Sequence, residues 1–200
     1  TGVPPVTAGD PAAGRALAGA ERYVLALGTV EPRKDLPTLV AAFDAIADAD
    51  PDLRLVIVGP DGWGTNAFDA AVAAAPNGGR VVRRGWVGTE DRAALLAGAS
   101  AFAYPSLYEG FGFPPLEAMA AGTPVVASTA GALVEVLGDA ALLVAPGDAD
   151  GLSAALQRVL QDEELRAQLI ERGKNQAARY SWDRCAEGLV GLYRDAMAAR

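Results

Sequence analysis

The stretch YVLALGTVEPRKDLPTLVAAFDAIADADPDLRLVIVG, residues 23–59, opens and closes on short apolar runs that each fit a buried strand. Between them Leu36, Leu39, Val40, Phe43, Ile46 and Ala47 recur at the spacing of one helix face. Asp35 is placed to act as the helix N-cap, and Pro37 falls in the first turn, where its missing N–H does little harm. Strand, helix and strand in that order make a right-handed crossover between parallel strands. Four further apolar runs follow: RVVRRG (80–85), SAFAYPS (100–106), TPVVAS (123–128) and AALLVAP (140–146). Helical patterns near 65–75, 89–98, 114–121 and 131–138 separate most of them. The expected fold is α/β, a doubly wound, Rossmann-like parallel sheet of about six strands. Such sheets bind ligands beyond the carboxyl ends of their strands, beside the reversal in strand order. That rule directs attention to the segments after Gly28, Gly59, Gly85, Pro105 and Ser128.

Beyond Gly147 the pattern turns helical. Leu152, Ala155, Leu156, Val159 and Leu160 share one face, and Leu165, Leu169 and Ile170 begin another helix. The final segment aligns Trp182, Ala186, Leu189, Val190, Tyr193 and Met197 along one side. Residues 1–19 read as a linker, and 20–200 as one domain with a helical C-terminal extension.

Bulk properties exclude several functions. With 200 residues and 51% in the hydrophobic set, the chain can bury a sizeable core. Its net charge of −8 repels nucleic acid and anionic lipid, so a polyanionic ligand must be held locally. The absence of histidine rules out a Ser–His–Asp or Cys–His apparatus and a His/Cys zinc site within the chain. The single cysteine, Cys185, permits no internal disulfide and reads as buried and inert in a reducing compartment. No apolar run approaches the roughly 20 residues of a membrane span, and the opening TGVPPVTAGDP lacks a signal pattern.

Three loops carry chemistry. In PSLYEGFGFPPLE (105–117), Gly110 and Gly112 let the backbone approach a ligand, and Pro114 and Pro115 start a helix. Free N–H groups at such a start suit phosphate, although a ligand-free strand-to-helix turn fits equally well. Glu109 and Glu117 flank this loop. Glu117 reads as a first-turn residue favoured by the helix dipole, whereas Glu109 has no such excuse. Carboxylates accept from vicinal hydroxyls, so a phosphate loop between two glutamates suits a nucleotide sugar. In LGTVEPRKD (27–35), Arg33 and Lys34 could neutralise a diphosphate leaving group. The alternative is a solvated basic pair before a helix, weaker for Lys34 and as good as the functional reading for Arg33. In VGPDGWG (58–64) and RGWVG (84–88), Trp63 or Trp86 could meet a flat base, with capping and packing equally good explanations.

Together GTVEPRKDLPTLVAAF, LRLVIVGPDGWG, YPSLYEGFGFPPLEAMAAGTPVVAS, GDAALLVAPGD and YSWDRCAEG resemble the C-terminal, donor-binding domain of group-one, family-four retaining glycosyltransferases with the GT-B fold. The resemblance runs over residues 20–200, and its paired-glutamate segment is the most specific part. It implies that Glu109 contacts hydroxyls of the transferred sugar and that Lys34 holds the diphosphate. Glu117 would bind the ribose 2′ and 3′ hydroxyls. Backbone amides around Gly110, Phe111, Gly112 and Phe113 would hold sugar or diphosphate, and the backbone at Trp86 and Val87 would meet the base. It further implies catalysis without a metal or other cofactor, the nucleotide sugar being substrate.

One departure is Thr29, which stands where many members carry arginine; Arg33 would then supply some of that charge. The GTVEPRKD form resembles a subgroup rich in mannosyl- and other hexosyltransferases of surface polysaccharides, which tilts the donor towards GDP-mannose. An N-terminal acceptor domain of similar size is expected as partner, and without it this chain should bind donor and transfer nothing. The stripe on 182–197 would then self-associate or fold back. The expected location is cytoplasmic, with any membrane attachment made through the other half. The competing readings are a nucleotide-sugar epimerase or phosphorylase of related build and a non-catalytic binding or assembly module.

Overall fold

A computed structural model describes residues 9–198. Within it six strands pair in parallel: β1 (Arg22–Leu27), β2 (Leu53–Val58), β3 (Val81–Arg84), β4 (Ala101–Tyr104), β5 (Val125–Ser128) and β6 (Ala141–Val144). Their order is β3-β2-β1-β4-β5-β6, so the winding reverses between β1 and β4. Leu25 pairs with Val56 on one side and Phe102 on the other, which puts β1 at the centre.

The apolar runs are continuous because both sheet faces are covered. Val24, Ala26, Leu55, Ile57, Ala101 and Ala103 join a core beneath α2 (Leu36–Ala47), α3 (Thr65–Ala74) and α7 (Ala149–Gln161). Leu25, Leu27, Val56, Val58, Phe102 and Tyr104 point the other way, under α4 (Thr89–Gly98), α5 (Phe113–Ala120) and α6 (Leu133–Leu137). Alternate side chains of one strand thus seed two cores. The helix α8 (Glu163–Ala177) follows, contributing Leu169 to the first core and Ala177 to the second.

Several expectations change in detail. The segment read as linker contains α1 (Pro11–Ala18), capped by the Asp10 side chain and adding Ala18 to the second core. Residues 1–8 lie outside the described part. Asp35 stands at the N-cap position of α2 but makes no capping hydrogen bond. Its φ of 49° is left-handed, whereas side-chain capping needs an extended backbone, and its Oδ2 is buried without a partner. Cys185 is half-buried rather than buried. It lies on α9 (Trp182–Ala198), a helix with no buried residue, on which Trp182, Leu189, Val190, Tyr193 and Met197 are exposed. Among the described residues no helix is long and apolar enough to cross a membrane.

The carboxyl ends of β1 and β2 meet without side chains between them. A Cβ on Gly59, whose φ is 150°, would stand 2.0 Å from the Gly28 carbonyl oxygen. Gly59→Ala should therefore destabilise the fold by about 3 kcal/mol or more in urea titration. A loss below roughly 0.5 kcal/mol, the level of an ordinary surface change, would show that the contact relaxes freely.

Candidate functional site

At the reversal, the loop after β1 closes through a 3₁₀ turn, Pro32–Lys34. The Leu107 N–H donates to the Arg33 carbonyl at 2.8 Å, joining that turn to the loop after β4. The β1 loop is also held to the β2 loop, by Val30 N–H to the Pro60 carbonyl and Gly62 N–H to the Val30 carbonyl. Gly28 keeps the inner wall clear: a Cβ there would sit 3.0 Å from Lys34 Cε. Local backbone contacts thus turn a basic dipeptide inward.

Lys34 is 8% exposed, unusually buried for lysine. Its Nζ donates to Glu109 Oε1 at 2.7 Å and to the Tyr104 hydroxyl at 2.7 Å. An ammonium has three donors, and the third has no partner among the described residues. Arg33 Nη1 reaches the same Glu109 oxygen at 2.7 Å, and its Nη2 donates to Glu31 Oε1 at 2.6 Å. Two carboxylates therefore face two cations across the switch point.

Burial pulls on each charge, and the partners decide the outcome. Burial raises the Glu109 carboxyl, but the hydrogen bond and charge of Lys34, helped by the Ser106 and Tyr104 hydroxyls, hold it below the usual range. For Lys34 burial prevails over Glu109, and the ammonium lies below its usual value. Burial would lower the Arg33 guanidinium, yet Glu109 and Glu31 more than offset it and leave it raised. Burial also drives the Tyr104 hydroxyl upward, so it stays protonated. Ser106 is fully buried.

The glycine loop is shaped from below. Gly131, at φ 55°, lets the Glu109 carbonyl approach to where a Cβ would be 2.2 Å away, and the Ala132 N–H donates to that carbonyl at 3.1 Å. Gly112, at φ 107°, precedes α5, and no side chain caps the helix there. Gly110 is exposed, while the Phe111 ring packs tilted against Phe113 at 4.8 Å and edge-to-face with Tyr180 at 5.6 Å between ring centres. The rings anchor the loop, and Gly112 within it is buried.

Glu117 is the fifth residue of α5, past the first turn where the sequence reading placed it, so the dipole does not account for it. Its Oε2 pairs with Arg92 Nη2 of α4, and its Oε1 has no partner among the described residues. Burial raises its carboxyl, and the Arg92 charge offsets this only in part. Trp86 is 80% exposed in the loop between β3 and α4, whereas Val87 rests on the second core.

All the sequence-derived residues thus fall on loops at the carboxyl ends of the strands or on α5. Glu109, Lys34 and Arg33 form one cluster; Glu117 belongs to a separate pair, and Trp86 stands apart. Tyr104, Ser106, Gly131, Glu31 and Arg92 were not foreseen. For Tyr104 the strand alternation with Phe102 was a usable signal; for Arg92 there was none without the α4–α5 packing.

A family model described as glycosyl transferases, group 1, matches residues 13–176. O-antigen chain mannosyltransferase B of Escherichia coli is 38% identical over 173 residues, 86% of this chain and 45% of that protein. Phosphatidyl-myo-inositol mannosyltransferase of Mycolicibacterium smegmatis is 35% identical over 185 residues, 89% of this chain and 46% of that one. The chain spans about half the length of these curated relatives. Among solved structures, sucrose-phosphate synthase of Thermosynechococcus elongatus superposes with a TM-score of 0.84 at 33% identity, over 99% of this chain and 52% of its own. Anabaena HepE, crystallised with UDP-glucose, superposes at 0.79 over 91% of this chain and 53% of its own; at 22% identity it shows shared fold alone.

The ion cluster has a measurable pH signature. Because the Glu109 carboxyl is depressed, the stability it lends is complete above the ordinary glutamate range and is lost as pH falls through its lowered value. Between about pH 3 and 6, Glu109→Gln should be less stable than wild type but with a shallower acid decline in urea titrations. Parallel curves would mean that Glu109 does not titrate with folding. Lys34→Ala, which leaves the Glu109 carboxylate to Arg33 alone, should cost roughly 1–3 kcal/mol, and a cost near zero would show the pair to be solvated.

Proposed function

The chain belongs to the group 1 glycosyltransferases, and from that premise we propose that it is the donor-binding half of a retaining hexosyltransferase. The whole enzyme would move a hexosyl group from a nucleoside diphosphate sugar to a hydroxyl acceptor. One observation carries the reading: a buried ammonium at the switch point, with a third donor that has no partner among the described residues, paired to Glu109 on the loop that leads into the uncapped start of α5. Lys34 holds the diphosphate and stabilises the charge that develops as it leaves. Glu109 accepts from hydroxyls of the transferred sugar, Glu117 from the ribose, and amides of Gly110 to Phe113 hold the sugar or phosphates. The base lies along the backbone of Trp86 and Val87.

Arg33 supplies the second cation where Thr29 cannot. Its guanidinium pairs with Glu109 and Glu31. An arriving diphosphate competes for the guanidinium, and the carboxylate it releases becomes an acceptor for sugar hydroxyls. These side-chain cations and helix N–H groups do the electrostatic work in place of a metal. The mannosyltransferases among the relatives favour a mannosyl donor. The acceptor site belongs to a further domain, so this chain alone binds and does not transfer, and the setting is cytoplasmic, where activated sugars are made.

Calorimetry with GDP, UDP, ADP and dTDP tests this. At least one should bind saturably, and Lys34→Ala should weaken that diphosphate by roughly 10- to 100-fold while leaving the weaker binding of the nucleoside nearly unchanged. Equal losses for both, or no saturable binding by folded protein, would contradict the assignment.

A further inference from the structure

An arginine at position 92 runs against its local setting. The Arg92 N–H donates to the Gly88 carbonyl, so the residue lies within the opening turn of α4, where the helix dipole disfavours a cation. Glu90 and Asp91 just before it are the residue types that turn favours. Arg92 instead projects towards α5 and places Nη2 on Glu117 Oε2, while its Nε is buried with no hydrogen-bond partner. The Arg92 side chain is 40% exposed and that of Glu117 only 14%, so the carboxylate is the more enclosed member. The guanidinium engages one carboxylate oxygen and leaves Oε1 unengaged. It also comes from the helix that begins directly after the loop containing Trp86 and Val87.

We propose that Arg92 is a positioning residue for nucleotide recognition, fixing the Glu117 carboxylate so that its free oxygen accepts the ribose 2′ and 3′ hydroxyls. This rests on the ribose role given to Glu117 above and extends it to a second helix. The chemistry requires such a partner. A carboxyl in this enclosed position that takes up a proton loses acceptor capacity towards a diol, and one that rotates freely loses its direction. Burial already pushes the Glu117 carboxyl upward, and Arg92 is the counter-charge acting on it. The arginine also joins the base loop to the ribose acceptor through one short helix, so the two ends of a nucleoside meet a single rigid unit.

The test compares GDP and UDP with their 2′,3′-dideoxy counterparts by calorimetry on this chain. For the nucleotide that binds, wild type should prefer the ribose form by roughly tenfold or more. Arg92→Met should bring that preference close to one, with dideoxy affinity within about twofold of wild type, and Arg92→Lys should restore part of the preference. If Arg92→Met does not fold, as judged by circular dichroism, Arg92→Lys and Arg92→Gln carry the comparison. A pair that only fastens α4 to α5 would weaken both ligands alike and keep the preference, which overturns the proposal while sparing the donor-site reading. A wild-type preference near one removes the ribose role of Glu117 and this proposal together, and absence of nucleotide binding removes the donor-site reading as well.

Discussion

The contact between the Lys34 ammonium and the Glu109 carboxylate holds together the two loops that matter most. One follows β1 and the other β4, the neighbouring strands from which the crossovers depart in opposite directions. At that point a buried ion pair joins the two loops, with Tyr104 as a third member. Such a pair is a poor way to gain stability, since well-packed hydrophobic residues would serve as well or better. It stands at the reversal in strand order, beside which sheets of this kind bind ligands. The two partners respond differently to the same enclosure: burial prevails for Lys34, and pairing prevails for Glu109.

Around that contact the backbone does as much as the side chains. Gly59 against Gly28 and Gly131 against Glu109 are approaches no Cβ would allow. They bring three strand ends and the α6 approach into a small volume, from which α5 starts with its N–H groups uncapped. The net charge of −8 gives this chain no long-range attraction for a polyanion. Under the proposed function, two cations and oriented amides would hold the diphosphate at short range.

Much of this was legible in the sequence. Alternating apolar runs and helical spacing located the strands and helices to within a residue or two, because both sheet faces are buried and the periodicities are clean. Glu109, Lys34 and Arg33 stood out as polar groups in loops that the sheet rule places at the binding edge. What failed had local causes. A helix at 11–18 was hidden by prolines and glycines that resemble a linker. The Asp35 side chain could not cap because the chain enters α2 from a 3₁₀ turn with left-handed backbone. Glu117 was placed in a first turn, when α5 in fact begins at Phe113. Arg92, Glu31 and Ser106 depend on contacts between distant segments, which no spacing rule reports.

Membership of the group 1 glycosyltransferases accounts for the fold, and the role proposed for this chain rests on the cluster at the switch point. The most direct measurement is a crystal structure of the chain with GDP-mannose or UDP-glucose bound. The pyrophosphate should lie within hydrogen-bond reach of Lys34 Nζ and the amides leading into α5, with Glu109 turned from Arg33 to the sugar and Glu117 on the ribose. A ligand lodged at another edge of the sheet, with the Lys34–Glu109–Arg33 cluster unchanged, would contradict it.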